Sequence, residues 1–177
     1  MTLTPRVRKL TLAVHITVSV GWIGALAAYL GLDIASATNG DPQTLRAVYQ
    51  AMDLVARSVI VPLALAALST GLIISLGTKW GLFQHYWVLI SLVLTTLATA
   101  VLLTETQTIS ALADLAASPS TSDDRLRSLG STLVHSVGGT LVLLSVLVLN
   151  VYKPRGLTRY GWRKQVERRS QREPAGE

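Results

Sequence analysis

Of the 177 residues, 50% are hydrophobic, 15% are charged and none is cysteine. Such a chain has room for a handful of membrane spans with short connections, and it excludes disulfides, thiolate metal centres and cysteine nucleophiles. The net charge of +6 is unevenly placed, with eight of the sixteen Lys and Arg after Val151, which favours a membrane surface over nucleic acid as the partner.

The first apolar stretch, Leu10 to Leu32, has 23 residues without Asp, Glu, Lys or Arg and follows Arg6, Arg8 and Lys9. At about 1.5 Å per residue it is long enough for a hydrocarbon core of roughly 30 Å. His15 and Trp22 are seven apart and share a helical face with Thr11 and Ser19, a stripe that should face other helices and not lipid. Ala25-Leu26-Ala27 has the look of a signal-peptide cleavage site, but the stretch is too long for one. Asp33 and Thr38-Asn39-Gly40 read as the turn that follows.

Asp41-Pro42 is a helix start, with Asp as N-cap and Pro in the first turn. Leu45, Val48, Tyr49, Met52 and Val55 then recur at helical spacing, which predicts an amphipathic helix leading directly into a second span, Val59 to Leu76. Pro62 should bend that span, and Asp53 and Arg57 should pair at i, i+4. After Gly77-Thr78-Lys79-Trp80-Gly81, the residues Trp80, Tyr86 and Trp87 read as an aromatic belt. The third span, Tyr86 to Thr104, stacks Ser91, Thr95 and Thr99. Its period persists through Ile109, Leu112 and Leu115 until Ser118-Pro119. Thr121 and Asp124 have capping-box spacing, and Leu126, Leu129 and Leu133 lead into the fourth span, Thr132 to Val151, which Lys153-Pro154 ends.

The fold class that follows is all-α, a four-transmembrane-helix bundle over residues 1–152 with spans near 10–32, 59–76, 86–104 and 132–151, then a basic cytoplasmic tail, 153–177. Twelve Lys and Arg flank one side and four the other, where seven of the ten acids also lie. Both termini are therefore expected in the cytoplasm of a bacterial plasma membrane, with helices two to four extended on the outer side. Gly21, Ala25, Ala28, Gly71, Gly138 and Gly139 let helices approach closely. The tail carries Tyr160 and Trp162 among its basic residues and suits anionic lipid. A membrane-protein partner or a homo-oligomer is compatible with the bundle.

The pieces HITVSVGWIG, GTKWGLFQHYWVLI and VYKPRGLTRYG resemble a bacterial family of small four-helix integral membrane proteins described only as a domain of unknown function. The pattern His15, Trp22, Gly24 is also similar to the first span of copper-resistance-D-like proteins and of four-helix membrane haem proteins. That resemblance implies haem b or copper, with His15, His135 and Trp22 as cofactor-binding residues. Members of the uncharacterised family often carry Lys at the position of Ser91 and His at that of Glu105, and this chain departs at both.

Chemistry in the chain would rest on its three histidines, since it has no Gly-rich phosphate loop, no Gly-x-Ser-x-Gly and no His-Glu-x-x-His. His15 should lie roughly 9 Å and His135 roughly 25 Å from the inner edge, with His85 at that edge. A gap of roughly 16 Å is too long for one iron whose axial nitrogens are about 4 Å apart, so His15 and His135 do not share one haem. His15 with His85 is geometrically possible, and His135 then belongs to a different site. His15, His85, His135 and Glu105 are the candidate metal ligands. The plainer alternative is that each histidine makes an ordinary hydrogen bond within the bundle. Two functions remain open: a haem- or copper-binding redox or metal-handling protein, and a non-enzymatic accessory subunit or small permease. Glu105 and His135 should reach the same depth on consecutive antiparallel helices and meet, as a clamp, a latch or two ligands of one site.

Overall fold

The computed structural model describes residues 3–78 and 81–171, so that Trp80 of the expected belt and Arg172 of the basic tail lie outside the described residues. Among the described residues all the regular elements are helices: α1 (Pro5–Thr38), α2 (Pro42–Val55), a π-helical turn (Ala56–Ile60), α3 (Val61–Gly77), α4 (Tyr86–Ala117), α5 (Asp123–Arg127), α6 (Leu133–Tyr152) and α7 (Arg159–Ser170). Among the described residues, four helical stretches are long and apolar enough to cross a membrane: Pro5–Thr38, Pro42–Gly77, Tyr86–Ala117 and Leu133–Tyr152. They form a ring in which α1 packs on α3 and α6, while α4 packs on α3 and α6 from the opposite corner. One end of the bundle carries α7 and the start of α4. The other carries α2 and α5, and these are called here the tail end and the loop end.

The α2 helix starts as its sequence requires. Asp41 is the N-cap, Pro42 fills the first turn, and Leu45, Val48, Tyr49 and Met52 form the buried stripe. That stripe packs against α1 and α4, where Ile109 and Ala116 are also buried. Withdrawing aliphatic side chains of this size from water stabilises by about 1.5–3 kcal/mol each. Polar ties add direction. Arg46 donates to the carbonyls of Ala116, Ser118 and Thr121, which satisfies groups left open where α4 ends. Arg57 pairs with Asp53 at 2.8 Å, as its spacing implies, and both also bond Ser110 of α4.

Pro62 acts one turn earlier than a simple bend. It has no N–H to donate and its ring crowds the preceding turn, so the helix widens there. The Val61 N–H reaches back five residues to the Ala56 carbonyl, and Ala56 and Ile60 are turned into the core.

Three local expectations change. Ser122, not Thr121, caps α5 by accepting from the Arg125 N–H, because the Thr121 hydroxyl is committed to the Leu115 carbonyl. The run through Leu126 and Leu129 does not continue into the fourth span, since the chain leaves helix between α5 and α6 and α6 starts afresh after Thr132. The basic tail is in part a docked helix. Thr158 caps α7 and donates to the Gln84 and Phe83 carbonyls, while the Tyr86 N–H donates to the Gly156 carbonyl. Gly161 fits against that backbone because a Cβ there would stand 2.3 Å from the Gln84 carbonyl oxygen.

The Asp41 cap has a pH signature. The Thr44 hydroxyl and then the Thr44 N–H donate to its exposed carboxylate and hold its pKa below the usual value. A depressed folded-state pKa gives stability that is present above the unfolded value and lost as pH falls through the folded one. In Asp41→Asn, which keeps an N-cap acceptor, the acid-side fall in melting temperature between pH 5 and pH 3 should be smaller than in the wild type, as read by circular dichroism in detergent.

Candidate functional site

Toward the loop end, the interior of the ring holds a cavity of about 340 Å³. Helical spacing on three elements builds its walls. Trp22, Leu26 and Tyr29 recur at i, i+4 and i+7 on α1; Ala98, Leu102 and Glu105 do so on α4; His135, Gly139 and Val142 do so on α6. The π-helical turn adds Ala56 and Ile60. Leu97 and Val101 of α4 and Val134 of α6 are lining residues that are also exposed, so the cavity opens sideways between α4 and α6. Those two helices are joined nearer the tail end, where Asn150 donates to the Ser91 hydroxyl.

The glycines of α6 play different parts here. A Cβ on Gly139 would touch Leu26 at 3.5 Å, in ordinary packing, whereas one on Gly138 would meet nothing within 4 Å. Gly138 keeps the cavity open.

Polar groups gather at one end of this cavity. Glu105 and His135 meet there, with Oε2 3.4 Å from Nδ1. Nineteen residues separate Tyr86 from Glu105 and seventeen separate His135 from Tyr152, so antiparallel helices starting level bring the two together. Tyr29, Thr132 and Ser136 complete that end. Behind them is Asp33, which the sequence presents as part of a turn and the structure buries completely, 0% exposed. Its carboxylate accepts from the Ser131 hydroxyl at 3.0 Å, the Thr132 N–H at 3.2 Å, the Thr132 hydroxyl at 3.0 Å and the Ser136 hydroxyl at 2.7 Å. A carboxylate so placed also meets the positive end of α6. The cluster of Ser131, Thr132 and Ser136 was the sequence signal for it, 98 or more residues away from Asp33.

The other histidines are elsewhere. His15 does not line the cavity. Its Nδ1 is 2.9 Å from the Thr70 hydroxyl, which gives its own proton to the Ala66 carbonyl and so accepts from the ring. The ring lies against Gly71, where a Cβ would approach Cε1 to 3.1 Å. Trp22, on the same stripe, is buried at the cavity wall. His85 is the residue before α4, tilted against the Trp87 ring and bridged to Leu157 of the returning tail.

The three histidines thus have different neighbours: Thr70 and Gly71 for His15, Trp87 and Leu157 for His85, and Glu105 for His135. Among the described residues no group of three or more His, Asp or Glu could hold a metal ion. A haem or copper ion at His15 would meet a ring already oriented by Thr70, and one at His135 would share it with Glu105 alone. Comparison with family models, with curated proteins and with solved structures returns no match.

Asp33 is the group whose loss should be felt most. Asp33→Ala would strand the buried Thr132 N–H and hydroxyl and remove the acceptor of the Ser131 and Ser136 hydroxyls, and should cost about 3 kcal/mol in detergent-unfolding titrations. Asp33→Asn should lose less than half of that, because its carbonyl still accepts from the N–H and the hydroxyls can turn to accept from its amide.

Proposed function

We propose that this chain is a non-enzymatic polytopic membrane protein that holds a lipid-soluble small molecule inside its bundle. The observation that carries this reading is the cavity: apolar along its length, polar at one end, and open sideways between two helices at the depth of the bilayer. Its volume is at the small end of the range of about 300–1,000 Å³ in which binding pockets fall. A pocket with that mouth draws its ligand from the membrane plane. The haem and copper reading gains no support from the donor sets at His15, His85 and His135. The accessory-subunit or carrier alternative fits the same cavity, since either role needs a reversible ligand and no reacting group.

In this reading the tail end is cytoplasmic and the loop end faces outward across a bacterial plasma membrane, because the basic residues crowd the tail end. The α7 helix then lies at the inner surface, with exposed Trp162, Tyr160 and Val166 beside its Arg and Lys side chains, an arrangement suited to anionic lipid. Kinship with the uncharacterised four-helix family belongs to the same proposal.

Two measurements test it. A reporter fused after Glu177 should be active only in the cytoplasm, and periplasmic activity would reverse the orientation. The purified protein should bind the fluorescent apolar probe 1-aminoanthracene saturably and one to one. Gly138→Leu places a side chain in the open space and improves helix propensity, so it should fold normally by circular dichroism yet weaken the probe about tenfold or more. Identical, non-saturating uptake by both proteins would overturn the reading.

A further inference from the structure

The polar end of the cavity is made almost wholly of hydrogen-bond acceptors. Thr132 and Ser136 have each committed their hydroxyl proton to the Asp33 carboxylate, at 3.0 Å and 2.7 Å. With that proton spent, the Thr132 oxygen accepts from Tyr29, whose hydroxyl lies 3.2 Å away. Tyr29 then has lone pairs left and no proton. Glu105, as a carboxylate, only accepts. His135 turns Nδ1 toward that carboxylate at 3.4 Å. Four lining groups, Tyr29, Glu105, Thr132 and Ser136, thus present oxygens without a free hydrogen, and the hidden Asp33 is what draws the hydroxyl protons of Thr132 and Ser136 away.

Charge points the same way. Glu105 borders the cavity and Asp33 stands directly behind Thr132 and Ser136, while no Lys or Arg lines the space. An anionic head would meet two carboxylates in surroundings of low dielectric, where repulsion is strong. A carbonyl head would face lone pair against lone pair. A hydroxyl head finds several acceptors within one end of the pocket, and below it Trp22, Leu26 and Val142 line the path for an apolar chain.

From this we infer that the ligand is a single-chain alcohol, an uncharged amphiphile whose hydroxyl donates at the Glu105–His135 end, and that aldehydes, phosphate esters and phospholipid chains are discriminated against. The inference rests on the cavity being a binding site and specifies what it selects. Bulk lipid tails can enter from the side, but they bring no donor to offset the loss of water by these acceptors, and such unpaired polar groups are the strongest basis for rejecting an analogue.

Three compounds with one fifteen-carbon isoprenoid chain separate the possibilities: farnesol, farnesal and farnesyl phosphate. Each would compete with 1-aminoanthracene for the full-length protein in detergent. Farnesol should displace the probe at a concentration about tenfold or more below that needed for farnesal or farnesyl phosphate. Glu105→Gln, which brings an amide donor to the same place, should narrow the gap by weakening farnesol and strengthening farnesal. A probe that binds saturably but is displaced equally by farnesol and farnesal, or best by farnesyl phosphate, overturns the inference about the head and leaves the cavity a binding site. Failure of all three to displace the probe, with Gly138→Leu binding it as the wild type does, overturns the binding site itself.

Discussion

A single carboxylate holds the loop end of this bundle in register. Asp33 sits at the last turns of α1 and reaches the N-cap and first turn of α6, more than ninety residues later in the chain, where it takes four hydrogen bonds and is wholly shielded from solvent. Helices in a bilayer gain little from burying apolar side chains against one another, because lipid is as apolar as leucine. Polar contacts of fixed geometry then decide which helices meet and at what height. With the heights of α1 and α6 set, Tyr29 meets Thr132, and the polar wall of the cavity follows.

The same contact explains why α6 is short. A helix running on from α5 would have to pass Asp33 with its backbone amides already paired. The break lets Thr132 present a free N–H to the carboxylate, with Tyr49 of α2 bonding the Gly130 carbonyl alongside. The connection between α5 and α6 is thus held by groups from α1 and α2, and the polar residues in it are fully employed. It works as a cap made of two strangers in sequence.

The longest and most regular features were legible from the chain because their causes are local. Uninterrupted apolar runs, Asp41-Pro42, the Asp53–Arg57 spacing and the stop at Lys153-Pro154 each depend on neighbours within a turn or two. The meeting of Glu105 and His135 was also legible, since residue counts along antiparallel helices convert to depth. What could not be read depends on partners far apart. Asp33 beside a turn looks like any turn acid until Ser131, Thr132 and Ser136 arrive from the other half of the chain. Gly138 and Gly139 look alike in sequence, yet only one packs. The tail looks like a loose basic stretch until Thr158 and Gly161 find the Gln84 backbone.

The π-helical turn has a further consequence. One extra residue in that turn offsets α2 from α3 by about 100°, the rotation of a single helical residue. Leu45, Tyr49 and Met52 point inward on one side of the offset, and Ala64 and Ala67 do so on the other. The helix is therefore geared like two wheels meshed one tooth apart, each correct only relative to the other. Drawing the same residues into an unbroken α-helix would give better backbone bonds but would roll the whole of α2 by about 100° and swing its apolar stripe off the core. Excising one residue between Ala56 and Ile60 would instead restore a regular helix with both stripes still facing inward.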